Sequence, residues 1–269
     1  MRKFSESRYF IPATVVLYLL LAGFLFFVIG TRTKSDIEIL LTRWFSRFLW
    51  ADFLLIVIGV ALCRCDIAAA FRELFAASPH VAPHPGPLPQ GERETGKISL
   101  WRRLNRPGIY LLIILVAGLL LVTLAAPQVH RIYYDEDIYA NMGQNIAYTG
   151  QTGMANYGTF EYGEYSVNWL LYNKDPSGWP FLISLVFQLF GTDESYAFYL
   201  NNLLYAGGIL IVFFIARILA GGWFAGLVAA LIYALIPHNL VWSNTIAAEN
   251  PAAVFGGLAV LCTLVWLRS

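Results

Sequence analysis

The sequence predicts an all-α integral membrane fold, a polytopic helical bundle with an outer juxtamembrane amphipathic helix. Three observations carry that expectation. Hydrophobic residues make up 58% of the 269-residue chain and charged ones 13%, a balance that suits a membrane protein better than a soluble globule. Apolar runs close to the roughly 17 to 25 residues needed to cross a bilayer recur along the chain. Basic residues gather on one side of those runs. The net charge of +1 gives no sign of a nucleic-acid partner, and none is expected.

The N-terminus, Met1 to Arg8, is basic and leads into an apolar run, Phe10 to Gly30, without a small-residue cleavage site, so it reads as an uncleaved anchor. Further spans are expected at Gly108 to Ala126, Tyr196 to Ala216, Gly222 to Pro237 and Pro251 to Leu267. Leu49 to Cys63 is shorter and carries Asp52. Pro180 to Phe190 is shorter still and reads as an interfacial or re-entrant segment rather than a span. Cys63, Cys65 and Cys262 lack the spacing of a zinc site or a disulfide framework and read as packing residues.

Charge bias orients the chain. Arg64, Arg72, Arg93, Lys97, Arg102, Arg103 and Arg106 fall between Arg64 and Pro107, whereas Pro127 to Ser177 holds only Arg131 and Lys174. The first stretch is therefore expected in the cytoplasm and the second, acid-rich one outside. With Pro180 to Phe190 skimming the outer surface, Arg217 and Arg268 both fall inside, as the same rule requires. Arg32, Lys34, Arg43 and Arg47 resist: if both N-terminal runs span, they lie outside. Either Leu49 to Cys63 does not fully cross, or the N-terminal pair is an accessory hairpin oriented by the stronger basic loop after it.

These readings divide the chain into an N-terminal accessory membrane segment (1–64), a cytoplasmic basic, Pro-rich linker (65–107) and a main membrane domain (108–269) with an outer loop at 127–177. Proline density from Pro79 to Pro89 excludes helix and sheet in the linker. His80 and His84 lie there without a third ligand, so no metal site is assigned to them. Trp50, Trp101, Trp179, Trp223, Trp242 and Trp266 fall near expected membrane boundaries and read as belt anchors.

The chemistry concentrates in Tyr133-Tyr134-Asp135-Glu136-Asp137-Ile138-Tyr139-Ala140-Asn141. Ile138, Met142 and Ile146 recur at helical spacing, with Gly150 as a stop, so the acids open a helix. There they complement the positive end of its dipole, at about 0.3 to 1 kcal/mol each. Two further polar features are expected on the same side. Glu249 stands before Pro251 at the mouth of a span. Lys174 precedes the interfacial segment, where an ammonium can snorkel or meet a phosphate.

At these residues the chain resembles the polytopic glycosyltransferases of the GT-C class, in particular the group of aminoarabinose transferases, protein mannosyltransferases and rhizobial galacturonosyltransferase-like proteins. The matching marks are Asp135-Glu136 with Tyr139-Ala140, the Lys174 to Pro176 step, Leu189-Phe190-Gly191 and Glu249, in a stretch from about Gly108 to Leu267 that would be the N-terminal part of such an enzyme. The resemblance implies transfer of a glycosyl group, with inversion, from a polyprenyl-phosphate-linked sugar to a lipid, glycan or protein acceptor, at the outer face of a bacterial inner membrane.

Asp135 would be the general base and Glu136 its catalytic support. Lys174 would neutralise the phosphate, with Glu249 and Tyr139 completing substrate binding. No metal ligand is assigned and no cofactor is certain; relatives differ, and the carboxylates permit a divalent cation without requiring one. The chain departs from the group where relatives carry an arginine, here Ser195 to Asn202, and in having fewer spans, which suggests a fragment. Asn201 and Asn202 are expected to face the bundle interior, chiefly as packing glue. The competing expectation is a non-catalytic membrane protein, such as a transporter subunit or scaffold, or an inactive piece of the transferase.

Overall fold

A computed structural model of the chain describes residues 4–62, 64–65, 68–69, 72, 107–130, 133–155, 158–161, 164–167 and 169–268. Most of the Pro-rich linker lies outside them, as do Cys63, Trp101, Arg131, Tyr157 and Tyr162. The described helices are α1 (Phe4–Thr31), α2 (Lys34–Leu62), α3 (Pro107–Leu120, continued by a π turn at Leu121–Ala125), α4 (Tyr133–Thr149), α5 (Gly178–Phe190), α6 (Ser195–Ala220), α7 (Trp223–Leu235), α8 (Pro237–Ser243) and α9 (Glu249–Arg268). One antiparallel hairpin, β1 (Gly158–Glu161) with β2 (Glu164–Val167), pairs Gly158 with Val167 and Glu161 with Glu164.

Among the described residues three helices, α2, α3 with its π turn and α6, are long and apolar enough to cross a membrane. A fourth span results if α7 and α8, bent by 62° at their junction, count as one. The bend has a local cause: Pro237 disfavours helical backbone at the residue before it, and Ile236 is extended, with φ −65° and ψ 116°. The α5 helix has 13 residues, about 20 Å at 1.5 Å per residue, in keeping with the interfacial length read from the sequence. Pro251 to Leu267, expected to span, lies within α9, a helix of 20 residues.

The second apolar run differs more. Leu49 to Cys63 is the C-terminal part of a 29-residue helix. That helix starts at a reciprocal cap in which the Thr33 hydroxyl donates to Asp36 Oδ2 at 2.7 Å and accepts the Asp36 N–H at 3.3 Å, satisfying groups that a helix start leaves open. No glycine or proline interrupts residues 34 to 58, so the polar first half and the apolar second half form one rod.

Two compact units share the chain. The first comprises residues 1–64, 128–201 and 244–248, the second residues 65–127, 202–243 and 249–269. Residues 1–64 thus fall in one unit with the acid-rich segment.

In the first unit α4 packs on α5, and the stripe Ile138, Met142 and Ile146 is buried. Gly143 permits the close approach: a Cβ there would meet Ile183 Cγ2 at 2.7 Å and the Pro180 carbonyl at 3.2 Å. On α5, Phe181 meets the Trp50 ring of α2 edge-on at 5.3 Å. In the second unit Leu111, Val122, Tyr205, Ile209, Phe213 and Leu227 form the core with Ala230 and Ala234. The Tyr205 hydroxyl donates to the Ala234 carbonyl at 2.7 Å, so its polar end is matched inside that core.

Candidate functional site

The acids separate at the first turn of α4. Asp135 is half-buried, Asp137 is exposed, and Glu136 is fully buried at 0%. Successive residues of a helix point about a third of a turn apart, so this division follows from which face of α4 meets the protein. A buried carboxylate is costly unless it is bonded. Glu136 Oε2 accepts the Ile246 backbone N–H at 2.9 Å and lies 3.4 Å from His130 Nδ1.

His130 also places Nδ1 3.9 Å from Asp137 Oδ1 and Nε2 3.3 Å from Glu194 Oε2. Its ring meets Phe198 edge-on at 5.6 Å. His130 thus stands between acids of α4 and the acid just before α6. Neither His130 nor Glu194 is marked by the sequence pattern.

Ile246 belongs to a strap, residues 244–248, that joins α8 to α9 without being helical. The Trp179 indole Nε1 donates to the Ile246 carbonyl at 2.7 Å, and Asn201 Nδ2 donates to the Thr245 carbonyl at 2.8 Å. Trp179, expected as a belt anchor, is thus 4% exposed and bonded to backbone; its place beside an expected span edge mimicked an interfacial tryptophan. Asn201 faces inward as expected, its partner being this strap.

The other end of α4 fastens the chain that returns from it. Asn145 Nδ2 donates to Asn141 Oδ1 at 3.0 Å and to the Gly153 carbonyl at 2.8 Å. Asn141 Oδ1 accepts the Ala155 N–H at 2.8 Å, and the Tyr165 hydroxyl donates to Asn145 Oδ1 at 2.7 Å. Burial pushes the Tyr165 phenol up, so it remains a donor. The first half of α2 joins here: Thr152 N–H donates to the Thr42 carbonyl at 2.7 Å, and the Ser46 hydroxyl donates to the Gly150 carbonyl. Arg43 and Arg47 therefore lie in the half of α2 that meets residues 150–152.

Of the residues singled out from the sequence, Asp135, Glu136 and Tyr139 lie together on the first turns of α4, with Tyr139 at 9% exposure. Lys174 is exposed on the segment between Leu171, bridged to Met154, and α5. Glu249 is exposed at the start of α9, in the second unit. Among the described residues no group of three or more His, Cys, Asp or Glu side chains is arranged to hold a metal ion. A scan against protein-family models and searches of curated proteins and of solved structures gave no match.

Proposed function

We propose that the chain is a membrane glycosyltransferase, or part of one, acting at the outer face on a polyprenyl-phosphate-linked sugar and a hydroxyl of a lipid, glycan or protein acceptor. The observation that supports this reading most is the split between adjacent acids. Asp135 keeps access to solvent at the start of α4, while Glu136 is buried and bonded beside it. A base must come within about 3 Å of the proton that it removes, and of the two only Asp135 is open to solvent, from which an acceptor hydroxyl can approach.

In the proposed step the acceptor oxygen attacks the anomeric carbon and its proton passes to Asp135. The bond from that carbon to the phosphate oxygen breaks, and its electron pair leaves with the phosphate. The configuration inverts. Lys174 provides a compact positive charge for the departing phosphate, and Tyr139 shapes substrate binding.

A non-catalytic membrane protein is the second reading, and one observation favours it: Glu136 already has a structural partner in Ile246. Membranes carrying the protein, incubated with a panel of polyprenyl-phosphate sugars, separate the two. Release of polyprenyl phosphate with sugar appearing on an acceptor supports the transferase; no release from any donor supports the second reading.

A further inference from the structure

Asn244, Thr245, Ile246 and Ala247 are buried to 2% exposure or less, although the strap that they form is not helical. Peptide groups so placed lie out of reach of water, and each needs a protein partner. Three helices provide them. Glu136 of α4 accepts the Ile246 N–H, Trp179 of α5 donates to the Ile246 carbonyl, and Asn201 of α6 donates to the Thr245 carbonyl. Within the strap, the Thr245 hydroxyl accepts the Ala247 N–H at 3.1 Å. Both polar backbone groups of Ile246 are thus held by side chains from elsewhere in the fold.

We infer that Glu136 is a positioning residue: its carboxylate acts through Ile246, fixing the strap that runs directly into Glu249, and takes no proton from a substrate. Where it concerns sugar transfer, the inference rests on the proposed function; where it concerns the strap, it does not. The task requires an acceptor oxygen and not a negative charge. Glutamine keeps that oxygen on a side chain of the same length, and alanine removes it. A group that moves a proton would be lost equally in both variants.

The test uses the full chain in membranes, with Cys63, Cys65 and Cys262 replaced by alanine and Ala247→Cys as a reporter for a membrane-impermeant maleimide. Slow labelling is expected with Glu136 and with Glu136→Gln, and labelling faster by about tenfold or more with Glu136→Ala, because the freed Ile246 N–H draws the strap toward water. If Glu136→Ala fails to accumulate, Trp179→Phe, which loses only the indole N–H, is expected to speed labelling in the same way. Under a transfer assay the pH profile of Glu136→Gln is expected to match that of the unsubstituted protein. Equal labelling in all variants overturns the inference, as does a Glu136→Gln protein that is slow to label yet as inactive as Glu136→Ala. Labelling reads the strap whether or not sugar moves, so failure here is distinct from failure of the transferase reading.

Discussion

Glu136 and Ile246, separated by 110 positions in sequence, meet at 2.9 Å through a carboxylate and a backbone N–H. Side chain to backbone bonds of this kind join regions that no residue pattern links. They also divide the work of two neighbouring acids, since the turn of α4 that buries Glu136 leaves Asp135 half-buried and Asp137 exposed.

The far end of α4 depends on Asn145. Its amide holds Asn141 and the Gly153 carbonyl and accepts from Tyr165. Replacement by leucine leaves those partners unmatched in a buried place, where one unsatisfied group costs about 1 to 3 kcal/mol. Asn145→Leu is expected to lower the thermal stability of the detergent-solubilised protein by at least that much. Proteolysis is expected to gain access first around Gly153. Wild-type stability would show that the network carries no weight.

Asp193 gives a pH signature. Its carboxylate accepts the Ser195 N–H at 2.8 Å at the start of α6, and bonding to Ser195 holds it below the usual carboxylate range. A group whose folded value is depressed contributes stability above its unfolded pKa and loses it as pH falls through the folded one. The difference in melting temperature between wild type and Asp193→Ala is therefore expected to be present at pH 7 and to close as the solution is acidified below the ordinary aspartate range. A difference that widens in acid would contradict this cap.

Orientation is tested at the two ends of α6. Its 26 residues reach about 39 Å, more than the hydrocarbon core of a bilayer. The proposed topology expects cysteine at Thr192 to react with an impermeant reagent from outside, and cysteine at Arg217 to react only after the membrane is permeabilised. The reverse pattern, or both on one side, would overturn the assignment of the acid-rich segment to the outside.

How far the sequence was legible depends on the range of each interaction. The stripe Ile138, Met142 and Ile146 announces α4 by its period, and all three residues are buried. Asp36 three positions after Thr33 starts α2, and Pro237 ends α7; both are local. The length of α2 was missed because an apolar window registers only its second half, whereas its polar first half docks through Thr42 and Ser46 onto residues 150–152. Trp179 was misread because an indole near a span edge has the same sequence context whether it faces lipid or bonds a buried carbonyl. The partners of Asn201, Trp179 and Glu136 are backbone groups of the strap, and backbone groups leave no mark in a sequence. His130 lies in a short coil after Pro127, where nothing nearby points to Glu194.

In the proposed reaction Asp135 accepts the proton of the attacking hydroxyl, so the decisive quantity is the rate of sugar transfer by Asp135→Asn in membranes. Asparagine preserves shape and removes the basic oxygen, so a loss of about 10²-fold or more in rate is expected, with membrane insertion and Ala247→Cys labelling unchanged. Transfer at the wild-type rate by Asp135→Asn would contradict it.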